Sequence, residues 1–386
     1  MRTIDTERVP IFVWGEAIDE ATLAQTRNLA NLPFAFHHVA LLPDAHVGYG
    51  MPIGGVLAAR GQVIPHAVGL DIGCGVCAWK TNIPAKDLLP VRDAILREVQ
   101  RAVPQGFNWH RSSQAGRTGL FGDVPDVPAL QAESAKAERQ LGSLGGGNHF
   151  IELQADPDGT AWVMVHTGSR NVGKQVAEHF DRVAREVNRR EGSPVPLEWG
   201  LAHLACDSDE GAEYLAAMDW CLRFARESRR LIAEAVQTAL GRRFAGVPRQ
   251  PAVDVHHNYA SIERHFGEEV VMHRKGAVRA HGIVLVPGSM GTVSYVGEGL
   301  ANPDSFESCS HGAGRAMGRK AAMRALPRDA VLAELEERDI RLFKRDYRDI
   351  AEEAPEAYKD IDDVMRWQSD LVEARIPLRP LGVVKG

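Results

Sequence analysis

The sequence predicts a mixed α/β protein. Short runs of β-branched and apolar residues, bounded by turn residues, alternate along the chain with longer segments of helical periodicity. The composition is that of a globular protein, with 44% apolar and 25% charged residues. No apolar run approaches the roughly 20 residues that cross a bilayer, and the first residues lack the apolar core of a signal peptide. We therefore expect a soluble, cytoplasmic protein.

The residue pattern also predicts the individual elements. Eight segments are expected to be strands because β-branched and apolar residues dominate them: residues 9–14, 38–42, 55–59, 76–79, 162–166, 253–259, 269–273 and 282–286. Six segments have apolar residues at helical spacing: residues 86–103, 129–141, 174–189, 210–244, 329–342 and 355–375. A further helix is expected to start near Ala316. Residues 109–128 are rich in Gly, Ser, Arg and Pro, which predicts a mobile loop within the fold.

The cysteine content and the charge restrict the function. The five cysteines are an odd number scattered over 386 residues, which does not fit a secreted disulfide framework. Their thiols are therefore expected to be reduced. The formal net charge of −6 argues against broad, non-specific binding of nucleic acid, since phosphate neutralisation usually requires a basic balance. Any nucleic-acid site is expected to be local.

Asp71 and Cys74 stand three residues apart on a glycine-flanked turn, in the segment GLDIGCGVC. Glycines let the backbone curl, so a carboxylate and a thiolate can face one cation, and a sulfur can bridge two metals. The alternative is a buried structural cysteine in a tight turn. Cys74 and Cys77 also form a CxxC pair, but the chain lacks the second pair of a zinc site and the helix signal of a redox motif. Cys77 is expected in the core.

Two further segments supply imidazoles. His149 follows a glycine-rich turn in LGGGNHFIE, which can present backbone amides to phosphate, and His166 ends a predicted strand in VMVHTGSRNVGK. A lone histidine is more often structural than a ligand. Residues 168–174 fit the G-x-x-x-x-G-K pattern of a P-loop, but Gln175 stands where magnesium needs Ser or Thr. Arg170 is a better candidate for holding phosphates.

The segment DVHHNY places His256 and His257 next to each other on a predicted strand. Neighbouring side chains of a strand point to opposite faces, so only one of the two is expected to face a site. The candidate ligands for one or two transition metals are then Asp71, Cys74, His149, His166 and one of these two histidines. Cysteine and histidine fit zinc at least as well as manganese, so the residue types do not decide the metal.

Three segments favour nucleotide chemistry. Residues 273–280 (HRKGAVRA) are locally basic and residues 286–294 (VPGSMGTVS) form a turn rich in small hydroxyl residues, so that together they could bind a triphosphate. In SHGAGR, His311 lies on a glycine-rich loop before a predicted helix, with Arg315 four residues on. Such an imidazole can attack a phosphoryl centre whose charge the amides and guanidinium stabilise. Each segment, taken alone, also fits an ordinary surface loop.

Nine motifs stand in an order that resembles the RtcB RNA ligase family. From about residue 41 to residue 386 they are LPDAHVGYGMPIGG, GLDIGCG, GGGNHFIEL, VHTGSRNVG, HHNYA, HRKGAVRA, PGSMGTVSY, SHGAGR and PLGVVKG. The resemblance implies a single α/β domain over residues 1–386, with a β-sandwich core surrounded by helices. It also implies an enzyme that uses GTP and two Mn²⁺ to join RNA ends bearing a 2′,3′-cyclic phosphate or 3′-phosphate to a 5′-hydroxyl, in RNA repair or tRNA splicing.

The resemblance further implies roles for individual residues. The implied manganese ligands are Asp71, Cys74 and His149 for one ion, and Cys74, His166 and His257 for the other. His311 would carry the guanylate, and Arg170 and Arg315 are expected to bind RNA. The implied guanylate contacts, besides His311, are Asn148, His149, Phe150, Ile151, Glu152, His257, Asn258, Pro287, Gly288, Ser289, Met290, Ser294, Gly312, Ala313, Gly314 and Lys385.

Two other function classes stay open on the sequence. A metal-dependent phosphoesterase would open cyclic phosphates at the Cys/His/Asp cluster without using His311. A non-catalytic RNA-binding paralogue would be expected to have lost a ligand or His311, and all of these residues are present. The expected partners of the ligase are the two RNA ends and GTP, with an activating protein as a further candidate and no membrane.

Overall fold

The computed structural model describes residues 1–248 and 251–386, and helices and strands alternate through them. The helices are α1 (Glu20–Ala30), α2 (Pro65–Val68), α3 (Ala85–Leu88), α4 (Arg92–Ala102), α5 (Pro128–Gln140), α6 (Arg170–Glu191), α7 (Asp209–Gly241), α8 (Arg319–Ala325), α9 (Arg328–Glu337) and α10 (Ile361–Trp367). The strands are β1 (Arg2–Ile4), β2 (Ile11–Val13), β3 (Ala35–His46), β4 (Ile53–Ala59), β5 (Gln62–Val63), β6 (Gly75–Pro84), β7 (Phe150–Ala155), β8 (Thr160–Thr167), β9 (Leu204–Ala205), β10 (Val253–His256), β11 (Asn258–His265), β12 (Glu268–Lys275), β13 (Ala277–Arg279), β14 (His281–Val286), β15 (Ser294–Leu300), β16 (Ser308–Ser310), β17 (Arg341–Phe343) and β18 (Val372–Lys385). The predicted mixed α/β class is confirmed.

Two large sheets form the centre of the fold. The first has six strands in the order β1-β2-β3-β4-β12-β11, and the second runs β10-β6-β8-β7-β18-β15-β14 with β17 paired to β18. The ends of the second sheet, β10 and β14, lie beside each other, so this sheet is nearly closed. Two short ladders, β13 with β16 and β5 with β9, complete the pairing among the described residues.

Apolar side chains fill both faces of the second sheet. Its inner face is a buried cluster to which β6, β8, β14 and β18 contribute Val76, Met164, Leu285 and Val383. Its outer face is covered by α4 and α7. Leu96 of α4 and Ile232 of α7 pack against the side chains that face outward from the sheet. Burial on both faces explains why these strands are nearly continuous apolar runs. As expected, Cys77 belongs to the outer core.

The pairing brings one end of four neighbouring strands to the same edge of the second sheet. Strand β6 begins at Gly75 and β7 begins at Phe150, whereas their antiparallel partners β8 and β10 end at Thr167 and His256. In register, His166 lies opposite both Val76 and Phe150. The residues that precede or end these strands therefore meet, although nearly 200 positions separate the first from the last. This edge carries the candidate site.

The chain changes sheets at His257. The sequence predicts one strand over residues 253–259, but β10 pairs with β6 in the second sheet and β11 pairs with β12 in the first. His257 stands between them, with its backbone N–H donated to the carbonyl of Cys74 at 2.9 Å. The single-strand prediction was wrong, and the break explains why His257 and not His256 enters the cluster described below.

The predictions were also wrong in the last quarter of the chain. The helix expected over residues 329–342 ends at Glu337, and β17 follows it. The helix expected over residues 355–375 is limited to α10, which begins after its N-cap Asp360, and β18 follows. The helix expected near Ala316 begins at Arg319, because the N–H groups of Ala316 and Met317 bond the carbonyl of Ala357.

The remaining segments give a mixed outcome. The expected helix over residues 86–103 is divided into α3 and α4, whereas α5, α6 and α7 closely match their predictions. Residues 109–128 contain two short 3₁₀ turns, and Leu120 among them is buried, while the mobility expected of this loop stays a prediction. No helix within the described residues combines the length and the apolar character that a membrane crossing requires.

Candidate active site

The first group of candidate metal ligands is Asp71, Cys74 and His149. Cys74 ends a turn immediately before β6, and its backbone N–H donates to the Asp71 carbonyl at 3.0 Å. The Nε2 atom of His149 lies 3.4 Å from the Cys74 sulfur and 3.0 Å from Oδ2 of Asp71. The three donor atoms thus lie within 4.8 Å of one another, a spacing that fits a single metal ion.

The second group shares Cys74 and adds His166 and His257. The Nε2 atom of His166 lies 3.2 Å from the Cys74 sulfur and 3.4 Å from Nε2 of His257. All three donor atoms again lie within 4.8 Å of one another. Because the sulfur belongs to both groups, the arrangement can hold two ions with a bridging thiolate. His256 is not part of either group, and its ring packs against Tyr259 at 4.4 Å.

Backbone carbonyls fix the orientation of two of the imidazoles. His149 donates from Nδ1 to the carbonyl of Leu144 at 2.9 Å, and His166 donates from Nδ1 to the carbonyl of Asn148 at 3.1 Å. A carbonyl can only accept, so in the neutral ring the Nε2 atom, which lies beside the Cys74 sulfur, is the one that can coordinate a metal. A backbone carbonyl that holds the other ring nitrogen is typical of metal-bound histidines.

The electrostatic setting also fits a cation. Burial, followed by the charge of Asp71, raises the pKa of the Cys74 thiol well above its usual range. Burial lowers the pKa of His166 and of His257, so both imidazoles are neutral and able to coordinate. Burial alone would raise the pKa of Asp71, but the hydrogen bond and charge of His149 outweigh it and lower that pKa. A metal ion would stabilise the thiolate that burial disfavours.

His311 stands next to this cluster and is held by Asp44. Its Nδ1 atom lies 2.6 Å from Oδ2 of Asp44, and its backbone N–H donates to the same oxygen at 3.1 Å. Asp44 is fully buried on β3, and the His311 ring centroid lies 4.7 Å from that of His257. Gly276 lies against the ring, where an added Cβ would approach it to 3.0 Å. The Nε2 atom of His311 makes no hydrogen bond to any described residue.

A cavity of about 140 Å³ opens beside His311. The predicted nucleotide contacts that line it are Asn148, Phe150, Glu152, Pro287, Gly288, Ser289, Met290, His311, Gly312, Ala313, Gly314 and Lys385. The predicted contacts that do not line it are His149, Ile151, His257, Asn258 and Ser294. Ile151 faces the outer core instead, whereas Ser294 accepts from Gly288 N–H and supports the Pro287–Met290 turn from behind.

Two buried groups give the cavity its polarity. Burial raises the pKa of Glu152 to about 8, despite the hydrogen bond from Gln154 and the charge of Lys385. Lys385, near the end of β18, donates to Oε2 of Glu353 at 2.9 Å and lies beside the Phe150 ring. On the residue pattern alone, Lys385 would have been assigned to a frayed terminus. Its strand is instead central to the second sheet.

Sequence reasoning assigned no role to Asp44, Glu353 or Tyr358. Asp44 lies in the LPDAHVG motif, but its partner His311 is 267 positions away, so spacing gives no signal. Glu353 accepts from Lys385 and from the Tyr358 hydroxyl and also pairs with Arg315 at 3.3 Å. It falls just before a segment that the pattern assigned to a helix, which hid its position. For Asp44, the available signal was the LPDAHVG motif itself.

The two arginines expected to bind RNA lie in different places. Arg170 begins α6, donates to Ser143 Oγ and to the Gly106 carbonyl, and lines a broad groove beside Asp71 and His149. Arg315 lies in the wall of the cavity beside His311, where its guanidinium bonds Glu353, Tyr358 and backbone carbonyls. RNA binding by either residue stays a prediction.

Comparisons with known proteins identify the family to which the chain belongs. The family model described as "tRNA-splicing ligase RtcB" matches residues 25–386. The "RNA-splicing ligase RtcB" of Escherichia coli is 37% identical, with 99% of this chain and 99% of that protein covered. The "tRNA-splicing ligase RtcB" of Thermococcus kodakarensis is 34% identical over 95% of this chain and 91% of that protein, and the Mycobacterium tuberculosis relative is 35% identical over 94% and 100%. The chain is thus an RNA ligase that belongs to the RtcB family.

Proposed function

We propose that the enzyme uses GTP and Mn²⁺ to join RNA ends bearing a 2′,3′-cyclic phosphate or 3′-phosphate to 5′-hydroxyl ends, in RNA repair or tRNA splicing. One observation carries the proposal: His311 is held by Asp44 through Nδ1, which leaves Nε2 as its nucleophilic atom beside a polar cavity. A carboxylate that fixes the tautomer of an imidazole is the arrangement that catalytic histidines use. RNA and GTP are the proposed substrates, with an activating protein as a candidate partner in the cytoplasm.

The proposed reaction begins at His311. Its Nε2 attacks the α-phosphorus of GTP, the bond to pyrophosphate breaks, and a histidine–GMP phosphoramidate forms. Water opens a cyclic phosphate to the 3′-phosphate, and an oxygen of that phosphate then takes GMP from His311. The 5′-hydroxyl oxygen finally attacks the activated 3′-phosphorus, which forms the phosphodiester and releases GMP. Asp44 holds the imidazole in one tautomer through the first two transfers.

The two ligand groups that share Cys74 are proposed to hold two Mn²⁺. The donor set is one carboxylate, one sulfur and three imidazoles, and two of the imidazoles are pre-oriented by backbone carbonyls. Bound metal would offset the charge that develops on transferring phosphates. The donor types fit zinc at least as well, so the support for manganese is the resemblance of the motifs and not the donor set.

The cavity beside His311 is proposed to bind the guanine nucleotide. Phe150 offers an aromatic face, Glu152 a carboxyl group, and Lys385 a cation that its pairing with Glu353 holds in place. The loop from Gly312 to Gly314 offers backbone amides to phosphate, and an added Cβ at Gly314 would collide with the Asp44 carbonyl. A side chain at position 314 would therefore push this loop away from β3.

Covalent labelling tests the proposal. We expect the protein to become labelled when it is incubated with Mn²⁺ and GTP carrying a labelled α-phosphate, and His311→Ala to abolish the label. His281→Ala is the matched control, because His281 is an exposed histidine at the start of β14 and pairs with Glu307. If the wild-type protein opens cyclic phosphates but is never labelled, it is a phosphoesterase and not a guanylate-transferring ligase. If it binds RNA with neither activity, it is a non-catalytic paralogue.

A further inference from the structure

Phe107 presents its ring entirely to solvent beside the candidate active site. Its relative exposure is 106%, the largest among the exposed apolar residues of the described chain. It lines a groove of about 1220 Å³, here called the entrance groove, whose wall includes Phe107, Trp109, Lys136, Lys174, Arg345 and Arg348. An apolar ring in this position loses hydrophobic stabilisation unless a ligand covers it.

The backbone around Phe107 is firmly held. Gly106 donates its N–H to the Gly145 carbonyl at 2.8 Å, and the Gly106 carbonyl accepts from Arg170 Nη2 at 2.7 Å. Asn108 donates from its side-chain amide to the Gln105 carbonyl at 2.9 Å. The ring is therefore displayed by a fixed turn, and the same contacts tie it to the glycine-rich loop that carries His149. A pre-organised aromatic ring loses little entropy when a ligand stacks on it.

The charge of the entrance groove is opposite to that of the whole chain. Seven cationic and four acidic side chains line it, whereas the chain carries a formal net charge of −6. Three of the four acidic groups already pair with groove cations, as Asp349 does with Lys344 at 3.3 Å. Trp109 adds a second ring, which lies 5.3 Å from the Arg139 guanidinium. Aromatic rings among cations are typical of surfaces that bind single-stranded nucleic acid.

The entrance groove is continuous with the catalytic groups. Its lining includes Asp71 and His149, two of the three residues of the first candidate metal-ligand group, and Arg319 lines both the groove and the nucleotide cavity. A chain lying in the groove would thus bring its end to the candidate metal ligands. A protein partner would not need access to these ligands, so the continuity favours RNA as the occupant.

We propose that the entrance groove binds the single-stranded RNA segment next to the ends that are joined, with one base stacked on Phe107 and the backbone phosphates paired with Lys174 and Arg345. This inference rests on the proposed function and adds to it the residues that seat the substrate. Phe107 would bind the RNA at a distance from the reacting atoms. Its loss should therefore weaken RNA binding and leave guanylate transfer to His311 intact.

Fluorescence anisotropy with a labelled single-stranded RNA of about 12 nucleotides bearing a 3′-phosphate tests the proposal, since single-strand sites of this kind span roughly 4 to 16 nucleotides. We expect Phe107→Ala to raise the Kd about tenfold and Phe107→Trp to restore binding, because stacking tolerates any aromatic ring. Phe266→Ala is the matched control, since Phe266 is also exposed but lies on the turn between β11 and β12. Equal Kd values for wild-type and Phe107→Ala protein would overturn the inference.

A second series locates the stacked base. RNAs that each carry one abasic position are measured against wild-type and Phe107→Ala protein. At the base that stacks on Phe107, the abasic change and the mutation should not add, whereas at all other positions they should. Lys174→Gln and Arg345→Gln should each reduce the salt dependence of binding by about one counterion. Additivity at every position would contradict stacking and point to a protein-docking role for this surface.

Labelling without RNA separates this inference from the proposed function. If wild-type protein is never guanylylated, the proposed function fails whatever the anisotropy shows. If wild-type and Phe107→Ala protein are labelled equally but RNA binding is also equal, only the groove inference fails. Equal labelling with weakened RNA binding and a raised KM for RNA supports both.

Discussion

Oδ2 of Asp44 accepts two hydrogen bonds from His311, one from Nδ1 at 2.6 Å and one from the backbone N–H at 3.1 Å. Asp44 lies on β3 of the first sheet, and His311 follows β16, so the pair joins parts of the chain that are far apart in sequence. The double contact fixes both the tautomer and the position of the imidazole. Nε2 therefore keeps its lone pair, which the proposed guanylate transfer requires.

Asp44→Asn should slow guanylylation without removing His311. The oxygen of the introduced amide can still accept one hydrogen bond, but its NH₂ group can face Nδ1 of His311. That contact would favour the wrong tautomer, in which the proton is on Nε2. We expect the single-turnover labelling rate to fall by roughly 10²- to 10⁴-fold, as it does when the carboxylate of a catalytic triad is replaced. The rate is measured by quenching the reaction with labelled GTP at short times.

Asp158→Asn is the control for this prediction, because Asp158 is a highly exposed carboxylate in the turn between β7 and β8. Its labelling rate should equal that of the wild type. If Asp44→Asn is labelled at the wild-type rate, Asp44 has only a structural role.

Cys74 is the one ligand common to both candidate metal groups, so its replacement should affect both ions. We expect the wild-type protein to bind two equivalents of Mn²⁺, His149→Ala and His257→Ala to bind one each, and Cys74→Ala to weaken both sites about 100-fold or more. Loss of a group that only hydrogen-bonds a metal ligand costs roughly 10- to 100-fold in affinity, and loss of a bridging ligand should cost more. The signal of free Mn²⁺ in electron paramagnetic resonance gives both stoichiometry and affinity.

Cys206→Ala is the matched control, since this half-buried thiol lies far along the chain and belongs to neither group. Retention of two tight sites by Cys74→Ala would rule out a bridging thiolate. Displacement of bound Mn²⁺ by added Zn²⁺, read as a rise in the free Mn²⁺ signal, tests the metal preference that the donor types leave open.

The candidate metal ligands could be named from the sequence because each stands in a short motif of unusual composition. Asp71 and Cys74 share one turn, His149 follows a glycine-rich turn, and His166 ends a predicted strand. What the sequence did not contain was the pairing that gathers them, since β6, β7, β8 and β10 are brought together by hydrogen bonds between distant segments. The choice of His257 over His256 as a ligand required either the family resemblance or the observed change of sheet.

The C-terminal strand shows a different limit. Residues 372–385 contain Pro377 and Pro380, and proline normally argues against an interior strand because it cannot donate to the ladder. Yet β18 lies between β7 and β15, and its register shifts between Pro380 and Gly382, which accommodates the missing donor. Local propensity was therefore overridden by tertiary pairing, and Lys385 reached the nucleotide cavity through a strand that the pattern did not predict.

Glu152 should make the stability of the nucleotide-free protein depend on pH. Its pKa is raised from 4.5 to about 8 by burial, so the folded state keeps a proton that the unfolded state loses. The free energy of unfolding should therefore fall as the pH rises from about 4.5 to about 8, by roughly 3 to 5 kcal/mol in total, and level off outside that window.

Glu152→Gln removes the titrating group. The free energy of unfolding of the variant, relative to that of the wild type, should therefore be higher at pH 8 than near pH 4.5. The midpoint of urea unfolding at several pH values measures the difference. Glu186→Gln on the surface of α6 is the control and should follow the wild-type profile. A constant difference between wild type and Glu152→Gln across this range would contradict the raised pKa.

Gly276 is expected to determine whether His311 can occupy its observed position. Its φ of +62° favours glycine, and an added Cβ would lie 3.0 Å from the His311 ring and 2.3 Å from Ile53 Cγ2. Gly276→Ala should therefore combine backbone strain with displacement of the imidazole. We expect the labelling rate to fall at least tenfold and the free energy of unfolding to fall by about 1 to 3 kcal/mol.

Gly282 separates the two effects. It has a φ of +60°, but an added Cβ there would meet nothing within 4 Å. Gly282→Ala should thus lose only the stability that the strained backbone costs, about 1 kcal/mol, and should be labelled at the wild-type rate. If both variants lose stability equally and both are labelled normally, the space around the His311 ring is not a constraint on catalysis. If only Gly276→Ala is labelled slowly, the position of the imidazole between Gly276 and Asp44 limits the rate of guanylate transfer.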